Sequence, residues 1–167
     1  IHDLSVGGAE KVLVNLVNHM DKAKYDITVM TLFDVGVNRQ FLASHIHYKS
    51  CFKHMIKGNS YLMKLMTPNQ LHNWLIKDNY DIEVAYLEGP SARIISGCSN
   101  KDVKLVSWIH VEQHTRKTAA QSFRNFKESE KCYQKFHQVI CVSEYVKKDF
   151  NTLYPKIDKV SVLYNTN

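Results

Sequence analysis

The chain has 167 residues, 44% hydrophobic and 23% charged, with a formal net charge of +6. That is one ordinary domain's length and a globular composition, which excludes a disordered chain and a scaffold dependent on staples. The basic excess suits an anionic partner such as a nucleotide, a lipid phosphate or a membrane surface.

In chain order, Val12, Leu13, Leu16, Val17 and Met20 recur at helical spacing and predict a helix over Gly8–Met20. Tyr25–Leu32 reads as a strand, Val37–Ser44 as a short helix and Ile46–Phe52 as a strand. Ser60–Lys77 is helical, bent or split at Pro68. Asp81–Leu87 is a strand closed by Gly89-Pro90, and Ser91–Cys98 a short helix capped by Ser91. Val103–Ile109 is a buried strand and Thr118–Phe136 a long amphipathic helix. Gln138–Val142 is a strand, Glu144–Leu153 a helix with Ser143 as its cap, and Lys159–Tyr164 a last strand. Strands alternating with helices imply an α/β fold, a Rossmann-like parallel sheet with helices on both faces. The near-continuous apolar strands agree with that.

Cys51, Cys98, Cys132 and Cys141 form no Cys-x-x-Cys pair and read as free thiols, with Cys98 and Cys141 as small core residues. No metal site is expected. P-loop, His-Glu-x-x-His and Gly-x-Ser-x-Gly patterns are absent. No apolar run approaches 18 residues, so no membrane span is expected. The segment Lys49–Lys64 mixes five basic residues with Phe52, Met55, Ile56, Tyr61 and Leu62. It reads either as a surface for anionic lipid or as a solvated face over a buried stripe.

Ligands of open α/β sheets bind at the carboxyl ends of the strands. That rule selects Gly7 and Gly8, Phe33-Asp34, Glu88-Gly89, His110-Val111-Glu112, Ser143-Glu144 and Asn165. Gly7 and Gly8 precede a helix and either admit a phosphate or an acceptor to the backbone, or make a tight turn needing positive φ. His110 follows the strongest buried strand and is the candidate catalytic group, either aimed at a phosphate or sugar hydroxyl or bonded to local backbone. Glu88 is open between a sugar contact and a structural role. Glu112, Ser143 and Asn165 complete the candidate binding set.

The stretch L-S-V-G-G-A-E-K-V-L, Leu4–Leu13, resembles the first loop and helix of glycosyltransferase family 4. V-S-W-I-H, Val106–His110, is similar to the family's strand and cleft histidine. V-I-C-V-S-E-Y-V-K-K-D-F, Val139–Phe150, and K-V-S-V-L-Y-N, Lys159–Asn165, resemble its later segments in order. A-Y-L-E-G-P-S-A, Ala85–Ala92, is similar to members that build bacterial surface polysaccharides.

The resemblance implies one half of a GT-B two-domain fold: residues 1–167 as the N-terminal, acceptor-side domain. On that reading its first strand is largely missing and a donor-binding C-terminal domain lies elsewhere, so the chain alone is inactive. The implied reaction is retaining transfer from a nucleotide sugar to a glycan or lipid-linked acceptor in polysaccharide synthesis. The nucleotide sugar is a substrate, and no cofactor, metal or nucleic acid is called for. The location is cytoplasmic, with membrane contact through the basic segment. The alternatives are another GT-B enzyme (an inverting transferase or a sugar epimerase) and a non-enzymatic α/β binding module.

Overall fold

The computed structural model describes residues 1–54 and 59–165. Part of the basic segment, residues 55–58, lies outside the described residues. The chain divides into two compact units, Ile1–Lys57 with Asn165–Asn167, and Gly58–Tyr164.

The first unit opens on helix α1, Gly8–His19, which buries Leu13, Val14 and Val17 along one stripe. Strand β1, Thr28–Phe33, pairs in parallel with β2, His47–Phe52. The backbone of Ile1 and His2 runs beside β1, with His2 accepting from the Leu32 amide at 3.0 Å. Between the strands, Val37–Phe41 forms a 3-10 helix. It is tied to α1 by Asn18, whose side chain donates to the Phe41 carbonyl at 2.7 Å and accepts the Ala43 amide at 2.8 Å. Gly36, at φ +117°, lies where a Cβ would come within 1.9 Å of the Leu4 backbone, so only glycine fits.

The second unit holds a four-stranded parallel sheet in the order β3-β4-β5-β6. Its strands are β3, Ile82–Tyr86, β4, Lys104–Ile109, β5, Gln138–Cys141, and β6, Val160–Val162. Every strand pair is parallel, as the alternation of elements implies. The described strands nonetheless hydrogen-bond in two sheets, a partition that periodicity does not carry.

Register aligns Ala85 with Ser107 and Val139, and Leu105 with Glu83. These buried residues share one face, on which α4, Pro90–Ile95, α6, Phe126–Tyr133, and α7, Glu144–Leu153, bury Ala92, Cys132, Val146 and Phe150. Tyr133 is the hub of this core, its ring 4.9 Å from Tyr154 and 5.1 Å from Phe150. The Tyr154 hydroxyl is satisfied by Ser129 Oγ at 3.1 Å.

The segment Ser60–Lys77 does split at its proline, into α2, Asn59–Leu65, and α3, Pro68–Leu75. Pro68 starts the second helix, and Thr67 and Gln70 form a capping box around it. The long helix expected over Thr118–Phe136 is instead α5, Arg116–Ala119, followed by α6. Asn125 stops a continuous helix by accepting the Glu128 amide as the cap of α6. Arg124 turns away to the carbonyls of Lys64 and Leu65.

Ser91 does not cap α4. Pro90, with its fixed φ, occupies the first helical position, so the cap falls on Gly89 and Ser91 is buried inside the helix. All four cysteines are free. Cys141 is fully buried, as expected, and Cys98 is half-buried, packed against the edge of the apolar core with His72 and Glu83 beside it.

Candidate functional site

The carboxyl ends of β3, β4 and β5 bring Glu88, His110, Glu112 and Ser143 to one end of the second sheet. Gly7, Gly8 and Asn165 belong to the first unit.

His110 is the first residue past β4. Its backbone amide donates to Glu88 Oε2 at 2.9 Å. Glu88 therefore ties the loop after β3 to the loop after β4, a bracing role that holds the imidazole in place. Burial raises the Glu88 carboxyl above its usual value, against the amides of His110, Glu88 itself and Val111, which favour the anion. The brace sits in strained backbone: Leu87 has φ +153° and Gly89 φ +80°. A Cβ on Gly89 would lie 2.8 Å from Ser122 Oγ, so a glycine is required there on both counts.

The His110 ring packs 4.7 Å from Tyr86 and 6.4 Å from Trp108. Among the described residues, His110 Nε2, Trp108 Nε1 and Ser107 Oγ are buried with no hydrogen-bond partner. Buried polar atoms are as a rule satisfied in folded proteins, which makes two unpartnered ring nitrogens at a strand end candidates for a polar ligand. Burial also lowers the His110 pKa to about 4. The ring is neutral at pH 7, able to donate from one nitrogen and accept at the other.

This lowering carries a stability prediction. In the unfolded chain the imidazole takes up its proton near pH 6.5. The folded protein refuses that proton until about pH 4. Between those values the unfolded state binds more protons, so His110 makes stability fall as pH falls through that window. In His110→Gln the loss of unfolding free energy between pH 7 and pH 5 should be smaller than in the parent, measured by denaturant titration. Identical losses would refute the burial of a neutral ring.

Past His110, the α7 carboxylate of Asp149 accepts the amides of Gln113, at 2.7 Å, and His114, at 3.1 Å. His114 has φ +58°, so this loop too is held in strained backbone. Glu112, His114 and Asp149 place their ligating atoms within 4.8 Å of one another and could hold a cation, although Glu112 and His114 are exposed. Ser143 caps α7, its Oγ accepting the Val146 amide at 3.2 Å.

In the first unit, Gly7 is the cap residue of α1 at φ −149° and ψ 158°, with no side-chain cap. Neither Gly7 nor Gly8 has positive φ, which removes the tight-turn reading. A Cβ on Gly8 would meet nothing within 4 Å, so the helix start is open there. The Glu10 carboxylate lies over Gly7, where a Cβ would meet its Oε2 at 2.0 Å. Asn165 is exposed, three residues past β6.

Sequence reasoning missed Asp149 as the anchor of the loop after β4, and the bond from the His110 amide to Glu88. Neither has a sequence signal, because both are contacts between segments more than twenty residues apart. Tyr86 and Trp108 carried a signal, as aromatics at the ends of buried strands.

The family Glycosyltransferase Family 4 matches residues 6–166, nearly the whole chain. The chain belongs to glycosyltransferase family 4. No curated protein and no solved structure matches it. The parallel α/β architecture agrees with the Rossmann-like half of a GT-B fold in this family 4 domain. Among the described residues, no helix of the family 4 chain is long and apolar enough to cross a membrane.

Proposed function

We propose that this family 4 domain is the N-terminal, acceptor-side half of a retaining glycosyltransferase. It moves a sugar from a nucleotide-sugar donor to a glycan or lipid-linked acceptor in polysaccharide synthesis. The observation that supports this best is the neutral His110 ring, its Nε2 buried without a partner at the end of β4. A neutral imidazole can donate to or accept from a sugar hydroxyl without placing a cation beside a developing oxocarbenium ion. Glu88 acts as a positioning residue, and Ser143 fixes the start of α7. The donor nucleotide is held by the second half of the GT-B fold, and the departing diphosphate is stabilised by helix-terminal amides. The test is sugar transfer by the protein carrying both halves, with a panel of nucleotide sugars and lipid-phosphate acceptors. Hydrolysis or epimerisation of the donor without transfer would overturn the reading.

The start of α1 is open at Gly8 and suits close approach by an anionic group once the Glu10 carboxylate over Gly7 swings aside, since helix-terminal amides and the helix dipole favour negative charge. Gly8→Ala separates this role from a structural one. With open space around the added methyl, stability should stay level or rise by about 0.4–1 kcal/mol. Turnover should fall if a phosphate or acceptor approaches there; unchanged turnover would return Gly8 to a purely structural role.

The exposed Lys49, Lys53 and His54 belong to the same proposal, as a surface for the anionic membrane that presents a lipid-linked acceptor. Binding to anionic vesicles should be lost with added salt. Equal binding to neutral vesicles would remove that part.

A further inference from the structure

The second unit holds a cluster of metal-ligating side chains that sugar transfer does not use. His72 lies on α3, Glu83 on β3 and Cys98 three residues past α4. His72 and Glu83 are buried, with Nε2 and Oε2 2.8 Å apart. The ligating atoms of all three residues lie within 4.8 Å of one another. We propose that His72, Glu83 and Cys98 bind a zinc-class divalent metal ion.

The fold assembles this set through backbone contacts that side-chain chance does not explain. Glu83 shares the inward face of β3 with Ala85 and is buried there. Gly97 lets the end of α4 approach the start of α3 so closely that a Cβ would lie 1.9 Å from the Pro68 carbonyl. Asn69 fixes that approach by donating to the Gly97 carbonyl at 2.9 Å. Cys98 is thereby carried to the helical turn that presents His72.

Imidazole, carboxylate and thiolate together are ligands of zinc and its neighbours, whereas magnesium and calcium favour oxygen alone. Bonds of about 2.0–2.3 Å in a tetrahedron set ligand atoms roughly 3.3–3.8 Å apart. The His72–Glu83 pair must open by less than about 1 Å to reach that spacing, and Cys98 must close by a similar amount. Cys98 can do so: it is half-exposed, its thiol contacts the Asn100 carbonyl at 3.8 Å, and it is already within hydrogen-bond reach of Glu83. The solvent side at Cys98 admits the ion and leaves a fourth position for water. On binding, the thiol proton is released to solvent and the sulfur–metal bond forms. Glu83 is the second residue of β3, at the opposite end of the strand from Glu88, so the ion staples α3, β3 and the end of α4 together and takes no part in transfer.

The test is titration of the purified chain with cobalt(II) as the spectroscopic stand-in. The parent should show a near-ultraviolet sulfur-to-cobalt charge-transfer band with tetrahedral visible bands, both displaced by zinc. Cys98→Ser, at a half-exposed position, should fold normally, lose the charge-transfer band and weaken zinc binding on the order of tenfold or more. Cys51→Ser should keep both. Zinc should raise the thermal midpoint of the parent and leave that of Cys98→Ser unchanged. No charge-transfer band in the parent, or a band that survives Cys98→Ser, would overturn the proposal.

Discussion

Replacing Arg93 by Met should destabilise the protein by about 1–3 kcal/mol, the cost of removing a buried guanidinium from the polar groups it satisfies. Arg93 lies on α4 and is 1% exposed. Its guanidinium meets Glu128 at 3.0 and 3.3 Å and donates to the carbonyls of Met63 and Met66, both at 2.8 Å. These two carbonyls lie at the C-terminal end of α2, where Met63 also accepts the Met66 amide at 3.2 Å, so one side chain closes a helix terminus and neutralises a carboxylate together. Burial alone would raise the Glu128 carboxyl, but the Arg93 hydrogen bonds, the Arg124 amide and both cations hold it below its usual value. Its contribution is thus present above the ordinary glutamate range and lost as pH falls through the folded value. Arg93→Met should flatten that acid limb as well as lower stability at pH 7. Adding Glu128→Met should recover at most part of the loss, because Arg124 still holds Glu128 in the single variant and the Met63 and Met66 carbonyls lack the guanidinium in both. Chemical denaturation of the parent, the single and the double variant measures all three. A single-variant loss below about 1 kcal/mol would mean that water replaces the guanidinium.

His110→Ala should lower turnover by roughly 10²–10³-fold in the protein carrying both halves, the usual effect of removing one aimed hydrogen-bonding group. Stability at pH 7 should change far less, since the ring carries an unsatisfied nitrogen in the folded state. Glu88→Gln should have a milder effect, because a glutamine carbonyl can still accept the His110 amide. The measurement is turnover at saturating donor and acceptor. Parental rates in His110→Ala would return the residue to a strand-end role.

Much of this architecture was readable from side-chain pattern. Helix α7 begins and ends where its periodicity and the Ser143 cap place it, because both signals are local. The strand ends naming Glu88 and His110 were legible for the same reason. Long-range contacts were not. Arg124 breaks an otherwise sound amphipathic pattern by bonding across the fold, beside the local cap at Asn125, and nothing in the apolar spacing of Thr118–Phe136 announces the long-range contact. Ser91 lost its capping role to the residue before Pro90, a case in which a proline's fixed φ outweighs a serine's preference. The cluster at Cys98 escaped because its members are separated by eleven and fifteen residues and follow no ligand motif. The one available hint was Glu83, a charge in a strand otherwise made of apolar residues.

The chain has two tryptophans, and Trp108 stands against the His110 ring, 6.4 Å away with the planes 28° apart. Trp74 lies half-exposed on α3. The indole at the strand end thus doubles as an optical reporter of its neighbour. A sugar hydroxyl drawn to the open imidazole nitrogen, or a proton added to it, alters the surroundings of an emitter already in place. With Trp74 replaced by Phe, the colour and yield of the remaining emission would come from the candidate site alone, so occupancy could be followed without attaching any label.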